Sequence, residues 1–256
     1  MLTESFAAAV AEAEQIISAA PHISSEADLA EGYDYLAGNI RGSLQLAWAY
    51  QLDFPYFIAS TGPYTKMGLD NPDALYFHSY LRDDAEYVVT GRRGSTTDLS
   101  FQVLKGDYTP AEVPDSLTAF DDRALDIAAD GTFELRFGPP GPAPRPQYYP
   151  LAPGSSMLVV REVYSDWAAE RRGTISIRRA DRAGCAPPPE GVSRQAKRYG
   201  AAGKILLSRL RTFLAFPEWF YLNLPVNTMT PPRRTPGGLA TSSPRPATTG
   251  WPRTRP

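Results

Sequence analysis

One stretch of the chain, residues 70–179, is dominated by alternation of apolar and polar positions. Leu75, Phe77 and Ser79 alternate with Tyr76, His78 and Tyr80. Tyr87 and Val89 share one face, with Glu86, Val88 and Thr90 on the other. Ser100 and Gln102 separate Leu99, Phe101 and Val103, while Glu134 and Arg136 separate Phe133, Leu135 and Phe137. Ile175 and Ile177 close the set. A period of two predicts strands with one face buried and one wet. Met157, Leu158, Val159 and Val160 form a continuous apolar run instead. Gly91-Arg92-Arg93-Gly94 breaks the alternation between two strands, and Leu125 and Ile127 lead into an Asp130-Gly131 turn pair whose glycine can take positive φ. No helix-length pattern separates these strands, which argues against a parallel α/β sheet. The fold class read from the pattern is α+β: N-terminal helices, an antiparallel jelly-roll-like β-sandwich, a linker helix and a disordered tail.

The flanks have a different period. In residues 3–19, Phe6, Val10, Ala13 and Ile17 fall on one helical face, with Thr3 as a cap. Ser25 begins a second helix, with Asp28 as its capping-box partner and Leu29, Tyr33, Leu36, Ile40, Leu44 and Trp48 as its stripe. Gly32, Gly38 and Gly42 weaken that helix unless close packing requires them. Residues 191–216 form a third helix. Val192, Ala196, Tyr199, Gly203, Leu206, Leu210 and Phe213 make its stripe, and Arg194, Lys197, Arg198, Lys204, Arg209 and Arg211 decorate the rest. That stripe is expected to pack on the sandwich or on a second domain, with the charges facing water or an acidic body. Proline runs at 139–146 and 187–189 mark a surface loop and a domain edge. The division expected is a helical segment at 1–64, the sandwich at 65–180, a linker and basic helix at 181–217, and at 218–256 a domain remnant with a disordered Pro/Arg/Thr-rich tail.

Composition sharpens this picture in three ways. Apolar residues are 43% of 256, enough for a core of real size. The net charge of −2 disfavours a nucleic-acid partner, and it hides an imbalance: residues 219–256 carry five arginines and no acid, so the remainder carries −2 − 5 = −7. Cys185 is the sole cysteine, no Lys or Arg precedes Arg41, and no apolar run reaches the roughly 20 residues a bilayer needs. The setting expected is cytoplasmic, with no transmembrane segment.

Several short pieces, in order, resemble a known family. They are Glu31-Gly32-Tyr33-Asp34-Tyr35-Leu36, Gly68-Leu69-Asp70-Asn71-Pro72-Asp73-Ala74-Leu75-Tyr76, Gly91-Arg92-Arg93-Gly94-Ser95 with Leu99-Ser100-Phe101, and Asp130-Gly131-Thr132-Phe133-Glu134. Tyr149-Pro150-Leu151-Ala152-Pro153-Gly154-Ser155-Ser156, Val160-Arg161 and Pro232-Arg233-Arg234-Thr235-Pro236-Gly237-Gly238-Leu239-Ala240 follow. The chain resembles actinobacterial proteins carrying the domain of unknown function 1214. The resemblance implies a jelly-roll sandwich preceded by helices, and it brings no reaction and no catalytic residues. Family members continue after the Gly-Gly-Leu-Ala piece into a second β domain. Here Thr241 onward is rich in Ser, Pro, Arg and Thr, so a frame shift near Ala240 and loss of that domain are expected.

Candidate chemistry is sparse. A zinc site needs three or four convergent ligands. The chain has only His22, His78 and one Cys, so His78 reads as a strand-face histidine making a hydrogen bond. Ser155-Ser156 lack the surroundings of a nucleophile elbow, and Cys185 lies in a proline-rich break. The pairs Asp83-Asp84 and Asp121-Asp122 point adjacent side chains to opposite faces and read as solvated loops. Arg92 and Arg93, between two glycines, could present guanidinium groups to a carboxylate, sulfate or phosphate, or could be a charged hairpin tip. Arg161 interrupts an apolar strand, where a charge should be paired or line a pocket. Tyr76, Arg92, Arg93 and Arg161 are thus the candidate ligand-binding set, with no catalytic residue, metal or cofactor assigned. The leading function expected is a ligand-binding or auxiliary sandwich taking a small anionic or amphipathic ligand on its apolar and aromatic interior face. Two alternatives are an enzyme of small-molecule or lipid metabolism with its site between two sandwich domains, inactive in this form, and an interaction module using the basic helix.

Overall fold

A computed structural model describes residues 1–62, 65–68, 70–107, 114–217 and 227. The expected tail and domain remnant lie outside the described residues, apart from Asn227. Three helices, α1 (Glu4–Ser18), α2 (Glu26–Ala49) and α3 (Val192–Pro217), accompany eight strands. The strands are β1 (Ala74–Tyr80), β2 (Tyr87–Arg92), β3 (Asp98–Lys105), β4 (Asp115–Asp121), β5 (Thr132–Gly138), β6 (Tyr148–Pro150), β7 (Ser155–Val163) and β8 (Thr174–Arg179).

The strands form two four-stranded sheets, ordered β1-β7-β3-β4 and β6-β5-β2-β8. Most connections cross from one sheet to the other, and every pairing is antiparallel except the three-residue β5/β6 pair. Phe77, Phe101, Leu158 and Val160 from the first sheet meet Tyr87, Val89, Leu135 and Phe137 from the second in a dry interior. Each buried side chain of this size contributes about 1.5–3 kcal/mol of hydrophobic stabilisation. Phe120 of β4 stacks on Tyr149 of β6 with centroids 3.8 Å apart, closing the sandwich where its two edge strands face each other.

The alternation located β1, β2, β3, β5 and β8. Two strands escaped it. β4 reads Asp-Ser-Leu-Thr-Ala-Phe-Asp and is mostly exposed or half-buried, so it lacks a clean apolar face. β6 has three residues, one of them proline. Conversely, Leu125 and Ile127 belong to no strand. They follow a 3₁₀ turn (Asp122–Ala124) and lean half-buried on the core. Gly91 and Arg92 do not break β2 but finish it.

The continuous apolar run of β7 has a physical cause. Leu158 and Val160 face the sandwich, while Met157 and Val159 face the helices, so both sides of this strand are dry. Leu46 and Ala49 of α2, with Ile205 of α3, cover the outer face of the first sheet. Ala13 and Ile17 of α1, Leu36 of α2, and Leu206 and Leu210 of α3 pack together in a second core above that layer. α3 is therefore the third member of a helical layer. Its apolar stripe packs on α1 and α2, not on the sandwich. Ser25 caps α2 as expected, its hydroxyl accepting from Asp28 N at 3.1 Å, although Asp28 reaches back to Ser24 instead of Ser25. Gly32 is explained by packing: a Cβ there would lie 2.7 Å from Ile17 Cγ2 of α1.

Candidate functional site

The structure divides the four sequence candidates. Tyr76 and Arg161 are directly opposed on β1 and β7, with the guanidinium 5.5 Å from the ring centroid. Both are half-buried on the outer face of the first sheet. Arg92 and Arg93 lie elsewhere, at the end of β2. Arg92 is exposed and donates from Nε to Asp130 O at 2.7 Å. Arg93 donates from Nε to Asp122 Oδ2 at 2.6 Å, from Nη1 to Thr96 Oγ1 at 2.6 Å and from Nη2 to Thr96 O at 2.5 Å. Thr96 in turn donates to Glu162, a buried carboxylate that also accepts from Gly173 N. Arg93 is thus engaged by the fold. Asp122, expected in a solvated loop, is its ion-pair partner, and Asp121 caps the 3₁₀ turn through Arg123 N.

A cavity beside Phe77, Phe133 and Val160, at the sandwich interior, measures about 10 Å³. A larger cavity lies on the opposite side of the first sheet, away from the interior face on which a ligand was expected. A cleft of about 960 Å³ opens between α2, α3 and the outer sheet face. Leu46 and Ala47 of α2, Tyr80 of β1, and Ala201 and Ile205 of α3 make its apolar walls. Tyr50 stands exposed at the mouth, edge-on to Tyr80 with centroids 5.0 Å apart.

One rim of the cleft is basic because α3 begins there. Gly191, Ser193, Arg194, Lys197 and Arg198 all border it. Glu190 holds two of the cations: its carboxylate pairs with Arg198 at 2.7 Å and with Arg194 at 3.2 Å. Lys197 is exposed and makes no ion pair or hydrogen bond among the described residues. Ser156, also in the lining, gives its hydroxyl to the carbonyls of Leu104 and Gly106.

Two buried cations on α3 contradict the expectation that its charges face solvent or an acidic surface. Arg198 is 8% exposed and stacks over Trp48 at 5.6 Å; Arg209 is 3% exposed. Both sit on a second helical row, Arg198, Ala202, Ile205, Arg209 and Thr212, four of whose members are fully buried and whose Ile205 packs toward the sheet. The signal was present in the sequence as a three-and-four spacing beside the obvious stripe. Arginine at two of its five positions made that row look like a solvated face.

His78 is 4% exposed, its Nδ1 hydrogen-bonded with Ser60 Oγ at 2.9 Å. Burial, then Arg209, then Arg161 push its pKa down to about 3, so the imidazole is neutral. Tyr35 donates to Met67 O at 2.8 Å, and burial raises its phenol to about 12. A smaller cavity of about 380 Å³, bordered by Thr61, Lys66, Asn71, Tyr76 and Trp167, adjoins this region. Among the described residues no three His, Cys, Asp or Glu side chains converge as a metal-holding group, and no helix is long and apolar enough to cross a membrane. Cys185 is exposed.

No family model and no curated protein matches the chain. Among solved structures it is similar to an uncharacterised protein from Burkholderia cenocepacia, with a TM-score of 0.73 and 26% identity over 86% of this chain. The match spans 59% of that protein's length. The VPA0106 protein from Vibrio parahaemolyticus aligns over 44% of this chain at 15% identity, with a TM-score of 0.31, too low to compare folds.

Proposed function

We propose that the protein binds a small amphipathic anion, its apolar body in the cleft between α2, α3 and the first sheet and its acidic group at the rim beside Lys197. The observation that carries this reading is the cleft itself: about 960 Å³ of largely apolar space with an unpaired ammonium at its mouth. Ligand sites are commonly concave, apolar and oriented by a few polar groups. The start of α3 adds favourable backbone N–H groups for an anion at the same rim. On the motif pieces we also assign the chain to the domain of unknown function 1214 family. The polar groups lining the cleft are the paired Arg194 and Arg198, the exposed Lys197, Ser193, Ser156 and the carboxylate of Asp107.

Titration calorimetry of the full chain with dodecanoate and with its methyl ester tests the proposal. Saturable one-to-one binding of the acid is expected, weaker by about tenfold for the ester, the equivalent of one charge-assisted contact of ~1.4 kcal/mol. Ala47→Trp, which fills the cleft, should abolish binding by both. Equal affinity for acid and ester, or binding untouched by Ala47→Trp, would overturn it.

A further inference from the structure

The turn that leads into β1 is pinned from several sides. Asp73 N donates to Asn71 Oδ1 at 2.9 Å, and Asn71 N donates to the Tyr76 hydroxyl at 3.0 Å. Asp70 Oδ2 accepts from Met67 N and Gly68 N. From the segment after β7, Tyr164 N donates to Asp73 O at 2.7 Å and Trp167 Nε1 donates to Asp73 Oδ1 at 3.1 Å. The Trp167 ring lies flat on Tyr164, with centroids 3.9 Å apart and planes 6° from parallel. One face of the indole is thus covered and its N–H is fixed, yet the residue is 49% exposed.

Trp167, Asp70, Asn71 and Tyr76 border the cavity of about 380 Å³, together with Lys66 and Thr61. Its size is at the small end of the roughly 300–1,000 Å³ usual for ligand pockets, and it shares no lining residue with the apolar cleft. Its walls have unused hydrogen-bonding capacity among the described residues. Asp70 commits Oδ2 to the backbone and leaves Oδ1 open, and Asn71 commits Oδ1 and keeps both Nδ2 hydrogens. The Tyr76 hydroxyl accepts from Asn71 and retains its own hydrogen, while its ring is taken by Arg161, 5.5 Å from the centroid. Thr61, 5% exposed, has a buried Oγ1 with no partner, a cost that a ligand hydroxyl would lift.

Charge sorts the ligand classes. Lys66 and Asp70 both border the cavity and form no ion pair with each other. An anion would meet Asp70, and a cation would meet Lys66. A neutral molecule with several hydroxyls uses both, because each hydroxyl donates and accepts. A pyranose ring adds an apolar face of C–H bonds that suits a flat indole.

We propose that this cavity is a second binding site, independent of the apolar cleft, for one neutral sugar ring. The ring stacks on the uncovered face of Trp167, and Asp70, Asn71 and Lys66 hold its hydroxyls.

The test titrates the nitrogen-15-labelled full chain with the methyl glycosides of glucose, galactose, mannose and N-acetylglucosamine. The readout is the indole N–H resonance of Trp167, assigned by its absence in Trp167→Phe. At least one glycoside should shift it saturably, with a Kd of roughly 1 mM, as expected of so small a ligand. Asp70→Asn keeps an acceptor for the Met67 and Gly68 N–H groups and should weaken that glycoside by about tenfold. Trp167→Ala, followed through the Asn71 backbone amide, should lose saturation, whereas Trp167→Phe, which keeps a flat ring, should retain it. A merely structural indole would leave binding intact in Trp167→Ala wherever the variant stays folded. No saturable shift with any of the four glycosides overturns the proposal, as does an affinity unchanged in Asp70→Asn. Tighter saturation by phosphate or by tetramethylammonium than by every glycoside would overturn it too, by showing a site for a charged ligand. Ala47→Trp, which fills the cleft, should leave glycoside binding unchanged, and its loss there would refute the independence of the two sites.

Discussion

Arg93 Nε lies 2.6 Å from Asp122 Oδ2, joining the end of β2 to the 3₁₀ turn after β4. The pair crosses between the two sheets. Its side chains are 13% and 18% exposed, so solvent screens it little. Arg93→Met should therefore destabilise by about 2–4 kcal/mol, since it strands Asp122 and frees Thr96 and Glu162. Arg93→Met with Asp122→Leu should recover part of that loss. Urea unfolding of the four-member cycle gives the coupling, and a value below about 0.5 kcal/mol would reduce the pair to an ordinary surface contact.

Gly94 is fixed by backbone rather than by turn geometry. A Cβ there would collide with Arg171 O and lie 2.5 Å from Gly173 N. Neither atom can rotate away, so Gly94→Ala should cost about 1–3 kcal/mol as overpacking. Gly141→Ala, whose nearest contact would be an ordinary 3.8 Å from Ala143 O, serves as the control and should stay within about 0.5 kcal/mol in the same unfolding assay.

His78 should make stability fall on mild acidification. Its folded pKa, near 3, lies below the unfolded value near 6.5. The neutral form is thus the folded one, and its contribution is complete above 6.5. Below that pH the unfolded chain takes up a proton that the folded chain refuses. Stability then declines toward pH 3 by up to about 1.4 kcal/mol per pH unit. The other histidine, His22, is exposed. Carboxylates with lowered pKa, such as Glu170 near 2 through Ser165 and Thr97, add their own loss only at lower pH. Unfolding free energies of the wild type and His78→Asn between pH 7 and pH 5 separate the two, and an identical slope in both would remove His78 as the cause.

Lys197→Glu should act on binding and not on the fold. The side chain is exposed and has no partner among the described residues, so stability should change by less than about 0.5 kcal/mol. Dodecanoate affinity should drop by about tenfold or more at low salt, with a smaller drop at high salt as the charges are screened. Calorimetry at two salt concentrations is the measurement. An affinity equal to wild type would place the ligand's acidic group away from this rim.

The sequence by itself determined the class of the fold. Phe77, Phe101, Leu135 and Ile177 alternate with polar neighbours because one side of each strand is dry, and that period is written in the residue order. Ser25 and Asp28 announced the start of α2 for an equally local reason. The neighbours of each sheet, and the side of it that carries the large cleft, were decided only by the tertiary structure. Alternation says that a face is buried but not what buries it, so the helical layer over Met157 and Val159, and the cleft beneath that layer, left no local trace. Arg93, in a glycine-flanked arginine pair, and Arg161, at the end of an apolar run, are both cations whose partners cannot be read from the sequence. The fold gives Arg93 a carboxylate and a threonine, and it gives Arg161 an aromatic ring. Arg209 was hidden for the same reason: burial depends on what a helix packs against on every side, and α3 has neighbours on two.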